Sequence, residues 1–200
     1  MKNLGTVAAV AIAIQNYFGG DKEMANVFND SDALVFGGAV RDALTGKSIN
    51  DIDIVCDVQS AAVIRSNIKK WKKSDEQNEA FYDLKLFSVE SFYLSDNQKI
   101  QIIVPAQGTS VVEKLKIKMI KDFMEKIDLR CCCLAFDPSS KTIIEFVDGA
   151  FDDCKKLKIV ERKDAIFHDS FRVKNRIEKL IKKGWKKEGA IDTKIDWSKI

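Results

Sequence analysis

The sequence predicts an α+β fold, a mixed β-sheet flanked by helices and followed by a short helical C-terminal extension. Three observations predict it. Short apolar runs that end in glycine or polar turns alternate with segments of helical spacing. Within "INDIDIVCD", residues 49–57, the centre Asp51-Ile52-Asp53-Ile54 alternates between polar and apolar, the signature of a strand with two unlike faces. The last quarter of the chain turns lysine-rich while keeping apolar residues at helical intervals. With 200 residues, 46% apolar and 32% charged, the chain can bury a real core without crosslinks. Only two prolines argue against long disordered linkers. The division expected is a domain over residues 1–160 and a helical extension over 161–200.

In chain order, "MKNLGTVAAVAIAI" carries a lysine and then an apolar run, as a signal peptide would, but no clean small-residue cleavage site follows. The run is too short to span a membrane, so an amphipathic first helix ending at Gly19-Gly20 is expected. "DALVF" reads as a strand running into Gly37-Gly38, and "AVRDALTG" as a brief helix stopped by Gly46. In the strand "INDIDIVCD", Asp51, Asp53 and Val55 share one face and Ile52, Ile54 and Cys56 the other. Ser60 is expected to cap a helix over residues 61–73, followed by a polar loop at 74–80. Residues 81–95 and 99–105 read as paired strands with Asn97 near the turn. Val112, Leu115, Met119, Ile120 and Phe123 form a helical stripe. "DLRCCCLAF" and "TIIEFV" read as two strands joined by the turn "DPSSK". Finally, Val173, Ile177, Leu180 and Ile181 mark a basic helix outside the sheet, with Gly184 as its stop.

Charge and cysteines narrow the function classes. Residues 155–200 hold 15 basic and 7 acidic residues, a net +8, against a net −5 over 1–154. A positive surface confined to one end of the chain suits phosphate or nucleic acid. The five cysteines, Cys56, Cys131, Cys132, Cys133 and Cys154, contain no CxxC pair, which suggests neither a zinc site nor a disulfide framework and leaves reduced, mostly buried thiols as the expectation.

The stretch at 34–55 carries the chemistry. Two carboxylates at i and i+2 of one strand repel each other unless something positive lies between them. Magnesium fits, since it takes hard oxygen ligands and is content with one or two carboxylates plus phosphates and water. Such a pair can serve nucleotidyl transfer. A Gly-Gly turn leading into a helix lets backbone approach a triphosphate, and Arg41, one turn on, can pair with phosphate oxygens. Neither half is specific alone. Together, at this spacing, they point to a nucleotide-handling metal site.

"GGAVRDALTGKSINDIDIV" resembles the signature of the tRNA nucleotidyltransferase and poly(A) polymerase head domain, a branch of the polymerase-β-like nucleotidyltransferases. "IDLRCCCLAFDP" resembles the family strand that opens with Arg-Arg-Asp, "FVDGAFDDCKKLKIV" the segment after it, and "FHDSFRVKNRIEKL" the helix that opens with Glu-Asp-x-x-Arg. The resemblance covers residues 34–184 and stops short of the family's body and tail domains. It implies that Asp51 and Asp53 hold Mg2+ or Mn2+, that Gly37, Gly38 and Arg41 hold the triphosphate, and that Asp128 lies near the sugar. It also implies that Asp169 and Arg172 read the base, their i, i+3 spacing putting both on one helix face. The chain departs from the family pattern at Gln101, Lys126, Ile127, Cys132, His168 and Asn175.

The function this implies is a metal-dependent, cytoplasmic nucleotidyltransferase that moves a nucleoside monophosphate from an NTP such as ATP to an acceptor hydroxyl and releases pyrophosphate. An RNA 3′ end leads among acceptors, which places the protein in RNA processing; a protein or small hydroxyl compound stays open. No membrane partner is expected. The second function class is a nucleotide- or RNA-binding module that kept the fold, which Gln101, Ile127 and Cys132 favour.

Overall fold

A computed structural model describes residues 4–18, 32–68, 72–74, 87–95, 98–105, 125–165 and 170–191. Its centre is a seven-stranded mixed sheet in the order β3-β4-β5-β2-β1-β6-β7. The strands are β1 (Leu34–Phe36), β2 (Asp51–Val55), β3 (Lys72–Ser74), β4 (Phe87–Ser95), β5 (Gln98–Pro105), β6 (Leu134–Asp137) and β7 (Thr142–Glu145). β2 and β5 run parallel and every other neighbouring pair is antiparallel. This bears out the expected α+β class.

The two innermost strands place the site. β1 is buried along its whole length, as a strand covered on both faces must be. β2 keeps the alternation read from its sequence: Ile52 and Ile54 are fully buried, Asp51 is exposed and Asp53 half-buried. The register sets Asp53 between Phe36 on β1 and Gln101 on β5. Helix α1 (Leu4–Tyr17) turns Val10, Ile14 and Tyr17 into the core. The Tyr17 hydroxyl accepts the Lys99 N–H at 2.6 Å and lies 2.8 Å from the Asn50 and Lys99 carbonyl oxygens, to which it donates. It thereby pins α1 to the strand starts beside Asp51. Burial, and then the nearby Asp51 and Asp53, push the Tyr17 phenol well above its ordinary range, so it stays a neutral donor.

Between β1 and β2 lies α2 (Gly38–Leu44), and after β2 comes α3 (Val58–Asn67). The cap of α3 is Asp57, whose carboxylate accepts the Ser60 N–H at 2.6 Å. Ser60 was the expected cap; its hydroxyl instead accepts the Asp32 N–H at 3.2 Å. The helix also stops earlier than its sequence predicts. Lys72 and Lys73, expected in that helix, and Ser74, expected in the polar loop after it, form the edge strand β3 against β4, where polar residues suit a solvent-facing edge. Residues 75–80, Asn97 and the stripe over 112–123 lie outside the described residues, as do Gly19 and Gly20.

The cysteine run is a further correction. Arg130–Cys132 form a single 3-10 turn rather than strand, closed by Cys132 N–H to Leu129 O and Cys133 N–H to Arg130 O, both 2.9 Å. The turn sends Cys131 and Cys133 into the core and leaves Cys132 half-buried. All five cysteines are free thiols. Helix α4 (Ala150–Lys156) follows β7; its Asp153 binds Arg130 through two hydrogen bonds of 2.6 and 2.7 Å. Gly149, at φ +87°, leads into α4, and a Cβ there would sit 3.1 Å from the Arg130 guanidinium, so both backbone and space call for glycine.

Helix α5 (Ser170–Lys182) buries Val173, Ile177 and Leu180. Ile181, expected in that stripe, is 49% exposed, because a position next to Leu180 is turned about 100° away. Gly184, at φ +90°, ends the helix, and the backbone N–H of the buried Trp185 donates to Leu180 O at 3.1 Å. The chain then enters β9 (Lys186–Ile191), which pairs in parallel with β8 (Lys158–Arg162) in a separate two-stranded sheet. β8 lies across residue 160 and so ties the extension to the segment before it.

Candidate active site

A cleft of about 580 Å³ opens between the exposed face of β2 and one edge of α5. That is a size suited to a nucleotide-sized ligand. Phe36, Gly37, Gly38, Arg41, Asp51 and Asp53 line it from the sheet side, and Arg176, Lys179, Lys182 and Lys183 from the helix side. Ile127, Leu129 and Cys132 form an adjoining wall.

The carboxylate pair sits where the alternation of β2 predicts. Oδ1 of Asp53 is buried and has no hydrogen-bond partner among the described residues. Burial, reinforced by the Asp51 carboxylate, pushes the Asp53 carboxyl up to about 7, while Lys99 and Arg176 pull it the other way. An inaccessible carboxylate oxygen without a donor is costly. Two hard oxygen donors on one face, one of them orphaned, fit a small divalent cation. Gln101 stands beside Asp53 in the β2–β5 register and donates its amide to Ser91 Oγ at 3.2 Å. No third carboxylate joins the pair: among the described residues no group of three or more metal-ligating side chains assembles.

The glycine pair divides its roles. Gly37 adopts φ +74°, ψ −130°, a conformation open essentially to glycine alone. Its N–H is spent on Leu134 O at 2.9 Å, so Gly37 turns the chain out of β1 rather than offering a donor to the cleft. A Cβ on Gly38 would lie 3.4 Å from Arg41 Nη2; the missing side chain leaves room for the guanidinium. Arg41 is held on three sides. Nε and Nη2 both reach Asp42 Oδ1 at 2.8 Å, Nη1 donates to Cys132 Sγ at 3.1 Å, and the Trp185 ring lies 5.9 Å away.

Asp128 is buried and grips Arg176: Nη1 donates to its two carboxylate oxygens at 2.8 and 2.7 Å. Asp128 thus meets the cleft through Arg176. Arg172 is half-buried and does not line the cleft. Asp169 and His168 lie outside the described residues. The sequence reading passed over Asp42, Arg176, Lys179 and Lys183. Their signal was present, since residues 176, 179 and 183 are spaced i, i+3, i+7 and fall on one edge of a helix. Cys132 was read as strand filler. It faces the cleft, and its thiol is pulled down to about 6 by a hydrogen bond with Cys131 and by the Arg41 and Arg176 charges, against the cost of burial.

The sequence profile of the Gabija anti-defense 2 family matches residues 10–171. No curated protein matches the chain. Among solved structures, a CCA-adding enzyme with CTP superposes with a TM-score of 0.63 at 19% identity, over 91% of this chain and 43% of that one. The Thermotoga maritima CCA-adding enzyme complexed with tRNA superposes with 0.59 at 22% identity, over 91% and 42%. A CCA-adding enzyme with ATP gives 0.62 at 20% identity, over 90% and 42%. The fold is therefore that of nucleotidyltransferase head domains, and the chain spans about two-fifths of the length of the enzymes it superposes on. Among the described residues no helix is long and apolar enough to cross a membrane.

Proposed function

The chain belongs to the Gabija anti-defense 2 family, and from its nucleotidyltransferase-like fold and the cleft we propose that it is a metal-dependent nucleotidyltransferase acting on an NTP and an acceptor hydroxyl. The observation that carries the reading is the orphaned Asp53 oxygen beside Asp51 in a cleft whose opposite wall is cationic. Asp51 and Asp53 would hold Mg2+ or Mn2+, which when bound supplies Lewis-acid activation of the phosphoryl group. Arg41, fixed by Asp42 and Cys132, takes phosphate oxygens. Gly38 lets that guanidinium pack close to the backbone, and Gly37 sets the turn. Arg176, braced by Asp128, faces the sugar and base end of the nucleotide against the apolar wall of Ile127 and Leu129. The resemblance implies Asp169 and Arg172 as the base-reading pair; Arg172 stands outside the cleft lining, so Arg176 is the arginine of this helix that we place at the nucleotide. An RNA 3′ end is the acceptor we favour, drawn by the net +8 of residues 155–200. We take residues 161–200 as a neck-like extension, the reaction as cytoplasmic, and the family's anti-defense description as the setting in which the transfer acts.

The chain's own groups contribute mainly by positioning and electrostatics, as in phosphoryl transfer generally. The test is to incubate the protein with each α-labelled NTP, Mg2+ or Mn2+, and a mixed pool of RNA ends. Label incorporation that vanishes in both Asp51→Ala and Asp53→Ala supports the reading. Gln101, an amide beside Asp53, favours the second reading, a nucleotide- or RNA-binding module. Nucleotide binding without transfer under every condition would establish that reading instead.

A further inference from the structure

The C-terminal end of α5 closes over the Arg41 end of the cleft. Asp42, only 4% exposed, splits its two oxygens between cations from distant parts of the chain. Oδ1 takes Arg41 at 2.8 Å and Oδ2 takes the Lys183 ammonium at 2.9 Å. All three side chains line the cleft. Lys183 is not a loose surface lysine. Its N–H is bonded to Leu180 O at 2.9 Å, the next residue is the left-handed Gly184, and the residue after that, Trp185, is buried with its ring against Arg41. One turn of chain therefore presents an ammonium to the carboxylate of Asp42 and an aromatic face to the guanidinium of Arg41.

A single carboxylate shared by two cations leaves those three side chains with a net positive charge of one, and Lys179 and Lys182 line the cleft along the same edge. If neutralising Asp42 were the whole purpose, Arg41 alone would serve. The arrangement instead holds two cations side by side, which the carboxylate between them makes tolerable. The anion that matches is a compact one that carries several charges close together. Lys183 is 30% exposed at its side chain, so it can leave Asp42 for such an anion while Arg41 stays anchored.

We propose that Lys183 is a polyphosphate-binding residue, the second arm of a subsite it forms with Arg41 on Asp42, and that its ligand is the β,γ end of a nucleoside triphosphate. This rests on the nucleotide cleft argued above but not on any transfer taking place. Nucleic-acid phosphates share the chemistry; two cations gathered on the two oxygens of one carboxylate favour the clustered charges of a triphosphate over an extended backbone.

The experiment uses the full chain in metal-free buffer and measures binding of orthophosphate, pyrophosphate, inorganic tripolyphosphate, ATP and a single-stranded oligonucleotide. Lys183→Gln can still donate to Asp42, so the strut between the end of α5 and α2 is kept while the charge is removed. The wild type is expected to bind more tightly as the phosphate chain lengthens. Lys183→Gln is expected to lose roughly ten-fold in affinity for tripolyphosphate and ATP, with orthophosphate and oligonucleotide unchanged, and Lys183→Arg is expected to restore it. A merely structural lysine would lower the melting temperature without changing the dependence on phosphate length. That outcome overturns the proposal, as does a wild type that does not bind tripolyphosphate, or a loss seen for the oligonucleotide alone. Tripolyphosphate binding through Lys183 with no nucleotide incorporated would leave this inference standing and refute the transferase reading; incorporation with no effect of Lys183→Gln would do the reverse.

Discussion

In the metal-free protein, Asp53 makes folding stability fall as pH rises. Its carboxyl is raised from 3.8 to about 7 by burial and by Asp51. Between those values the folded state keeps a proton that the unfolded state has released, so stability is lost through that window and is lowest above it. At roughly 1.4 kcal/mol per pH unit, the full span is worth about 4 kcal/mol, of which about 2.5 kcal/mol falls between about pH 5 and about pH 8.5. Asp53→Asn has no proton to exchange and nearly the same shape. Urea unfolding at the two pH values in the presence of chelator should therefore show the wild type losing about 2.5 kcal/mol more than Asp53→Asn. Adding Mn2+ at the higher pH should return stability to the wild type and not to the variant. Equal pH dependence in the two proteins would refute the placement of Asp53 as a buried, charge-crowded carboxylate.

Three further outcomes follow from the same geometry. Gly37→Ala should cost about 1–3 kcal/mol, because φ +74°, ψ −130° strains any residue with a Cβ; an unchanged melting temperature would show that the turn relaxes. Cys132, with its thiol near 6 beside Arg41, should be alkylated first among the five cysteines at about pH 7.5 and be protected by ATP; mass spectrometry reads the order, and labelling at Cys131 or Cys133 at the same rate would contradict it. Arg176→Ala should destabilise the protein by about 3 kcal/mol, since it strands the buried Asp128 carboxylate. Asp128→Asn in the same background should recover much of that loss, and its failure to do so would place the effect elsewhere.

Much of the fold was legible because its central elements obey one period each. The helix between β1 and β2 is bounded by glycines and β2 alternates through its centre, so the sequence alone puts Asp51 and Asp53 on one face. The misses have local causes. Asp57 and Ser60 are both good caps, and the one that accepts the other's N–H became the cap. β3 and β9 carry no apolar alternation, and each is defined by the strand it pairs with rather than by its own residues. The three cysteines after Arg130 have no periodicity, and the 3-10 turn they form is set by Leu129 and Arg130 carbonyls. The site was legible where its residues are neighbours in sequence. Arg176 finds Asp128 across 48 residues and Lys183 finds Asp42 across 141, and such pairings leave no local mark.

The central claim is that Asp51 and Asp53 serve nucleotidyl transfer. Its most direct test counts pyrophosphate released against labelled nucleotide incorporated, in one reaction with Mg2+ or Mn2+, for the wild type, Asp51→Asn and Asp53→Asn. The account predicts one pyrophosphate per nucleotide in the wild type and neither product in the variants. Incorporation that persists in either variant, or nucleotide breakdown without incorporation in the wild type, would contradict it.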